Sequence, residues 1–309
     1  MDDNDLRLFQ LFFADSRQSY RGLAEKLGLT VQAVHRRIKA LEDEGILVGF
    51  TAHLSVPHLG AVPVYMSGRS QATSLDAVLE SLRGDDSVEA VITSGGNMLF
   101  LRSILRGISD LEPHIEFVRK AGMLADPLPI GIEGVVQIGD RAVSRPPKRT
   151  LELSTLDYRI VNELHKDSRA SVVVVAKELG VSAKTVARRL DRMLAENVIE
   201  FRAIGQLGAM QGSVGMLLIA LRPGVDKAQF RKDLKDAFGL SMIEIVTLTN
   251  LTDKLFCMAW ATTNAGLGEL VDRVTKHGSV AGVSSHVIYK EYHFDTWRDK
   301  LVAERAARG

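Results

Sequence analysis

The sequence DSRQSYRGLAEKLGLTVQAVHRRIKALEDEGI at residues 15–46 returns in altered form at residues 167–198, as DSRASVVVVAKELGVSAKTVARRLDRMLAENV. The full match aligns residues 5–50 with residues 157–202 at a constant offset of 152, and 13 of the 46 aligned positions are identical. Solenoid and propeller repeats have periods of only about 20–50 residues, so this repeat is a whole module. Two copies of such a module in one chain can replace the two subunits of a homodimer.

The first part of each copy has the pattern of three short helices. Ser19 is placed to cap a helix that ends at Gly28, and Thr30 is placed to cap the next helix, which runs to about Glu44. Apolar residues recur along these helices at the spacing of one buried face, and the second copy repeats the pattern. A turn and a short strand follow each third helix. The sequence therefore predicts two winged helix-turn-helix domains.

The second part of each copy predicts strands and helices in the order βαββαβ, which is the ferredoxin-like arrangement. Helices on one face would leave the other face of each sheet uncovered, so we expect a partner sheet. The first copy is predicted to contain Val62–Gly68, Ser74–Arg83, Val88–Thr93, Met98–Ile104, Ser109–Ala121 and Ile132–Ile138. The second is predicted to contain Val214–Leu221, Asp226–Phe238, Ile243–Leu248, Leu255–Ala261, Ala265–His277 and Val283–Tyr289.

The predicted fold class is α+β, with two winged helix-turn-helix domains alternating with two ferredoxin-like βαββαβ domains. A segment rich in Pro and Arg separates the copies and is typical of a linker. The predicted boundaries are 1–52 and 154–204 for the winged domains, 53–138 and 205–294 for the βαββαβ domains, 139–153 for the linker, and 295–309 for a C-terminal helix capped by Asp295.

Composition points to a globular protein of the cytoplasm. The 309 residues are 46% apolar and 25% charged, which is ordinary for soluble domains. One cysteine, Cys257, excludes an internal disulfide framework and lies in an apolar run, so we expect a buried thiol. The sequence has no apolar run long enough for a membrane span, and its acidic start is unlike a signal peptide. We therefore expect no membrane partner.

The positive charge of the chain is local, because the net charge is only +1. In a helix-turn-helix the second helix of the motif enters the major groove, where Arg reads guanine or phosphate and Gln reads adenine. These helices carry three Arg or Lys in the first copy and four in the second. The alternative is an ordinary solvated face, and for His35 the two interpretations stay equally open. The candidate DNA-binding residues are Gln32, His35, Arg36, Arg37, Lys39, Lys184, Thr185, Arg188, Arg189 and Arg192.

Patterns of catalytic sites are missing from the sequence. It contains no nucleophile elbow, P-loop or dinucleotide fingerprint, and its acidic residues suggest no pair for acid/base work. The histidines are scattered without the spacing of metal ligands. We therefore expect no metal, no cofactor and no enzymatic activity.

The helix-turn-helix residues resemble the DNA-binding domain of the Lrp/AsnC family of transcriptional regulators. The resemblance rests on Asp5-x-Arg7, Asp15-Ser-Arg17-x-Ser19, Leu23-Ala24-x-x-Leu27-Gly28-Leu29-Thr30 and Val34-x-Arg36-Arg37-Ile38-x-x-Leu41-Glu42-x-x-Gly45-Ile46, and it extends to the second copy. It implies a RAM-type βαββαβ domain, double-stranded DNA as the partner, an amino acid as effector and assembly into homo-oligomers. We expect a dimer of two-copy chains.

The resemblance also implies an effector site at the turn between the second and third strands. In the first copy this turn is Thr93–Asn97, and its candidate effector-binding residues are Gly95, Gly96 and Asn97. The alternative is a two-glycine hairpin turn that serves the backbone alone. The second copy has Thr249–Asp253 at this place and no glycine, so we expect its role to be architectural.

Two other functions follow from the same resemblance. Lrp-like siroheme decarboxylases also pair two related halves, but here neither turn carries His and Asn97–Phe100 lacks their tryptophan. A protein-binding scaffold would have recognition helices without positive charge. The sequence thus favours a sequence-specific transcriptional regulator whose unlike recognition helices, Gln32 and His35 against Lys184 and Ala187, read an imperfect palindrome.

Overall fold

The computed structural model describes residues 1–125, 130–143, 146–149 and 151–308. The helices are α1 (Asp3–Ala14), α2 (Tyr20–Leu27), α3 (Val31–Asp43), α4 (Leu75–Arg83), α5 (Leu111–Ala121), α6 (Thr155–Lys166), α7 (Val172–Leu179), α8 (Ala183–Ala195), α9 (Lys227–Phe238), α10 (Asn264–Thr275) and α11 (Trp297–Ala306). The strands are β1 (Leu47–Leu54), β2 (Val62–Arg69), β3 (Val88–Ser94), β4 (Met98–Leu105), β5 (Gly131–Ile138), β6 (Arg141–Val143), β7 (Ile199–Gly205), β8 (Ser213–Leu221), β9 (Met242–Leu248), β10 (Lys254–Ala261) and β11 (Val280–His293).

The helix-turn-helix units form for the reasons that the sequence predicts. The Ser19 hydroxyl accepts a hydrogen bond from the backbone N–H of Gly22 at the start of α2, and the Thr30 hydroxyl accepts one from Ala33 at the start of α3. Gly28 ends α2 with φ of 65°, a left-handed conformation that favours glycine. The second copy repeats these caps and this turn.

Each unit is completed by the wing of the other copy. The wings β1 and β7 pair antiparallel in a two-stranded sheet, with Phe50 opposite Ala203 and Thr51 opposite Arg202. Ala52 and Leu54 of β1 are buried in the core of the second copy's helices, while Ala203 of β7 is buried with the first copy's helices. Neither helix-turn-helix core is therefore complete without the other copy.

An approximate two-fold axis relates the two units. The Ser16 and Ser168 hydroxyl oxygens lie 2.6 Å apart in a fully buried contact, and the two residues are separated by the repeat offset. Arg17 donates to the carbonyl oxygen of Ser168 at 2.6 Å, and Arg169 donates to that of Ser16 at 2.5 Å. Because equivalent atoms make equivalent bonds in both directions, the chain is a covalent pseudo-dimer.

The two βαββαβ sheets join into one closed barrel. The first sheet has the order β3-β4-β2-β5 and the second β11-β8-β10-β9, and hydrogen bonds join β3 to β11 and β5 to β9. At the second junction a side chain on Gly131 would lie 2.5 Å from Leu248, so glycine permits this close approach. The uncovered sheet faces become the inside of an eight-stranded antiparallel barrel, and α4, α5, α9 and α10 pack outside it.

Closure of the barrel removes one argument for pairs of chains. The sequence predicts sheets with exposed edges, which invite pairing with another chain. Both edges are instead occupied by the other copy, and among the described residues only the short strand β6 extends from β5. The predicted dimer of chains stays a prediction without that support.

Three elements differ from their predicted form. β11 is longer than Val283–Tyr289 because its first half pairs with β8 and its second half with β3. The predicted linker contains β6, while residues 144, 145 and 150 of it lie outside the described part of the chain. The last helix is capped by Thr296, through a capping box with Asp299, and not by Asp295. The domain boundaries themselves stay predictions.

Among the described residues, no helix combines the length and the apolar character that a membrane span requires.

Candidate functional sites: the recognition helices and the barrel cavity

Most of the predicted DNA-binding residues are exposed on α3 and α8. Thr185 is half-buried instead, because its hydroxyl lies 2.9 Å from that of the cap residue Ser182. The His35 ring packs edge-on against Tyr20, with 4.6 Å between ring centroids. The exposed members of the set are Gln32, His35, Arg36, Lys39, Lys184, Arg188 and Arg192.

Arg37 and Arg189 point into their own domains. Arg37 Nη1 lies 2.5 Å from Asp5 Oδ1, and this hydrogen bond raises the pKa of Arg37. Arg189 lies 3.0 Å from Asp157, whose side chain is 0% exposed. The two pairs occupy equivalent positions of the repeat and fasten each recognition helix to the first helix of its unit. Their geometry is that of a structural ion pair, and their contact with DNA stays a prediction.

Arg36 and Arg188 are different from their neighbours. Both are exposed at equivalent positions of α3 and α8. In the described part of the chain neither one has a hydrogen-bond or ion-pair partner, whereas Arg192 lies 3.0 Å from Asp157. These two guanidinium groups are therefore free to meet a phosphate or a guanine without breaking an internal contact.

The turn predicted to bind an effector has a structural reason for its glycines. Gly96 has φ of 67° and Asn97 has φ of 58°. Arg69 donates to the carbonyl oxygen of Gly96 at 2.9 Å, and a side chain on Gly95 would lie 3.0 Å from the Tyr289 hydroxyl. The backbone conformation and these contacts account for the sequence of the turn. Effector binding there stays untested.

A cavity of about 340 Å³ lies between the barrel and the paired wings, and we call it the barrel cavity. Apolar side chains line part of it, including Ile92, Val136, Met216 and Met258. The rest is ionisable. These residues are Glu89, Glu133, Glu200, Glu244, Glu291, Arg102, Arg202, Arg298, His53, His165, His293, Asp295 and the phenol of Tyr65.

The arginines of the barrel cavity have carboxylate partners. Arg102 contacts Glu89, and its Nε lies 2.9 Å from Glu133. Arg298 also binds Glu89, at 2.8 Å. Arg202 lies 3.1 Å from Glu200. Each of these arginines thus has a carboxylate within ion-pair distance, although the buried Nε of Arg298 makes no hydrogen bond within the described residues.

Two carboxylates of the cavity have no such partner. Within the described residues, neither Glu244 nor Glu291 forms an ion pair with Arg or Lys. One oxygen of Glu291 lies 3.5 Å from His293, while its buried Oε2 makes no hydrogen bond of normal geometry within the described residues, although the Leu207 N–H approaches the carboxylate. Burial raises the pKa of Glu291, and burial with the charge of Glu133 raises that of Glu244 to about 7. The cavity is short of positive charge.

The sequence suggested no pair of acidic residues for acid/base work, whereas the structure brings five glutamates to the lining of one cavity. The sequence does contain an indication of this cavity, namely single charged residues within apolar strands, such as Glu244 between Ile243 and Ile245. It could not be interpreted without knowing that the strands of both copies enclose one space.

Histidines also converge, against the expectation from their spacing. His53 Nδ1 lies 2.7 Å from Asp299, His165 Nδ1 lies 3.8 Å from the same oxygen, and the two rings are 5.1 Å apart. Burial, together with the charge of Arg298, lowers the pKa of His53 to about 4, while a hydrogen bond with Asp295 raises that of His165. The cluster joins β1, α6 and α11, and holds the C-terminal helix against the wing.

Comparison with known proteins assigns the chain to a class. Residues 1–48 match a winged helix-turn-helix DNA-binding model, and residues 153–194 match the AsnC-type helix-turn-helix domain. The regulator LrpA of Pyrococcus horikoshii is 30% identical over 105 residues, which cover 34% of this chain and 74% of LrpA. An uncharacterized HTH-type regulator of Pyrococcus furiosus is 45% identical over 60 residues, which cover 19% of this chain and 40% of that protein.

The chain belongs to the Lrp/AsnC family of helix-turn-helix transcriptional regulators, in a tandem form. The predicted family and α+β fold class are confirmed.

A solved structure with the same two-copy fold is that of the siroheme decarboxylase NirDL, in complex with an iron-uroporphyrin III analogue. It covers 98% of this chain and 97% of its own, with a TM-score of 0.59 and 14% identity. The prediction of no enzymatic activity was therefore wrong, because it excluded a function that a protein of this fold has. The likeness at this identity concerns the fold alone.

The ion pairs of the recognition helices predict two unlike effects of neighbouring substitutions. Arg189→Ala should lower the free energy of unfolding by about 1–3 kcal/mol, because it removes a partner of the buried Asp157 carboxylate. Arg188→Ala should change it by less than about 0.5 kcal/mol, since the side chain is exposed. Urea denaturation measures both. Equal effects of the two substitutions would contradict the structural role of Arg189.

The pKa of Glu244 predicts a pH-dependent stability. It is about 7 in the folded chain against an ordinary 4.5, so its contribution to stability is present below pH 4.5 and is lost as the pH rises through 7. Glu244→Gln should thus raise the free energy of unfolding by about 1–3 kcal/mol at pH 8, and have little effect at pH 4.5. Denaturation at both pH values measures this, with exposed Glu269→Gln as control. The same change at both pH values would contradict it.

Proposed function

We propose that the protein is a sequence-specific DNA-binding transcriptional regulator that acts through two non-identical helix-turn-helix units in one chain. The observation that carries this proposal is the pair Arg36 and Arg188. They are exposed at equivalent positions of two recognition helices, without internal partners in the described part of the chain. Membership of a family of DNA-binding regulators supports the same interpretation.

The charges that remain free define how each unit would meet DNA. Arg37 and Arg189 are neutralised by Asp5 and Asp157, so they hold the helices in place. On α3, Arg36 has no ion-pair partner within the described residues, and Lys39 forms only a weak exposed pair with Asp43. On α8, Lys184 and Arg188 have no such partner. Such groups supply the phosphate contacts and guanine recognition that a major-groove helix needs.

The approximate two-fold symmetry sets the form of the operator in this proposal. A symmetric pair of helix-turn-helix units reads half-sites about one helical turn, roughly 34–36 Å, apart. The exposed residues of α3 and α8 differ, so the two half-sites differ in sequence. Association of two chains, through surfaces other than the barrel edges, and control by a small molecule are further parts of the proposal.

Substitution of the free arginines tests the proposal. Arg36→Ala and Arg188→Ala should each weaken binding to DNA fragments selected by the purified protein by about 1–3 kcal/mol, because each removes a base or phosphate contact. Fluorescence anisotropy at fixed salt measures the affinities. Lys232→Ala, an exposed cation on α9, is the control and should bind like the parent. Parent-like affinity of both arginine variants would refute the assignment.

The second candidate function is decarboxylation of a siroheme-type substrate. The whole-chain likeness in fold to NirDL and the presence of the barrel cavity favour it. The lining of the cavity speaks against it, because an iron tetrapyrrole of this class carries carboxylates around its rim. These would meet Glu244 and Glu291, while Arg102 and Arg298 are already bound to Glu89.

Titration with iron-uroporphyrin III separates the two functions. We expect no saturable change of the Soret band, because the surplus of carboxylates in the cavity repels a polyanion. Absorbance spectroscopy on the purified chain measures this. An unrelated protein without surface histidines gives the background of nonspecific binding. A saturable, stoichiometric shift that Glu291→Gln strengthens would show a tetrapyrrole site and favour the decarboxylase alternative.

A further inference from the structure

We propose that the barrel cavity binds an organic cation with an alkyl body, such as a diamine, whose ammonium groups pair with Glu244 and Glu291. The proposal concerns the cavity between the barrel and the paired wings, whose lining includes no residue of either recognition helix. It does not depend on whether the chain binds DNA.

The charge balance of the cavity selects a cation. Its arginines are bound to Glu89, Glu133 and Glu200, and a bound anion would have to compete with these ion pairs. Within the described residues Glu244 and Glu291 form no ion pair with Arg or Lys, Glu291 has only His293 at 3.5 Å, and both glutamates line the same space. A positively charged ligand would supply the counter-charge that the protein leaves out.

The buried oxygen of Glu291 is an independent sign of a missing ligand. Glu291 is only 6% exposed, and within the described residues its Oε2 makes no hydrogen bond of normal geometry, although the backbone N–H of Leu207 also approaches the carboxylate. An unpaired buried acceptor costs about 1–3 kcal/mol, and folded proteins satisfy nearly all of them. An ammonium group, which offers three N–H donors, would satisfy this oxygen and bind a neighbouring carboxylate with another donor.

The size and the apolar part of the cavity select an organic ligand over a metal ion. A volume of about 340 Å³ falls in the range of small-molecule sites, roughly 300–1,000 Å³. A single ion would leave most of this space unfilled. The methionines Met216 and Met258 and the side chain of Ile92 offer a surface against which a short alkyl chain would pack. An alkyl diamine matches both parts of the lining.

Calorimetric titration with 1,4-diaminobutane at pH 8, where Glu244 is ionised, tests the proposal. We expect saturable binding at one site per chain. Glu291→Gln and Glu244→Gln should each weaken it at least about tenfold, and Glu269→Gln, on the outside of α10, should leave it unchanged. Succinate and 1,4-butanediol, which have similar length without the positive charge, should not bind.

A second variant keeps the test sound if a glutamine substitution disturbs the fold. Met216→Trp fills the cavity without changing its charge and should abolish binding, while circular dichroism checks that the chain is folded. Absence of diamine binding overturns the proposal, and so does binding that all three cavity variants retain. Tighter binding of Mn²⁺ that displaces the diamine and is lost in the same glutamate variants would overturn it in favour of a metal site.

Discussion

The buried contact between Ser16 and Ser168 joins equivalent positions of the two copies. Two equivalent hydroxyl oxygens 2.6 Å apart place an approximate two-fold axis between the copies. The reciprocal bonds of Arg17 and Arg169 to the carbonyl oxygens of the opposite copy fix the two units around that axis. The exchanged wings follow from it, because each strand then lies across the helices of the other copy.

The barrel extends the same symmetry. Each sheet pairs with the other at both edges, and a cavity remains between the barrel and the wings. The fold of NirDL shows that this architecture also serves an enzyme. What the architecture does in a given chain is then a matter of the side chains inside it. Here the inside holds more carboxylates than cations, which favours a cationic ligand over a tetrapyrrole.

Much of the fold could be predicted from the sequence, because caps such as Ser19 and Thr30 and the turn at Gly28 act locally. The closure of the barrel could not be predicted, since β3 meets β11 and β5 meets β9 only through contacts between copies. For the recognition helices, helical periodicity identifies the exposed face but does not separate Arg36 from Arg37. Once the structure is known, the repeat explains the role of Arg37. Both copies carry the arginine (Arg37 and Arg189) and also its aspartate partner (Asp5 and Asp157).

The proposed function requires that one chain present two unlike recognition helices, α3 and α8, around an approximate two-fold axis. A footprint at base resolution on a selected DNA fragment tests it most directly. We expect two protected half-sites of different sequence, about one helical turn apart. Arg36→Ala should erase protection at one half-site and Arg188→Ala at the other. A single protected half-site, or the same loss of protection in both variants, would show that the two recognition helices do not read separate half-sites.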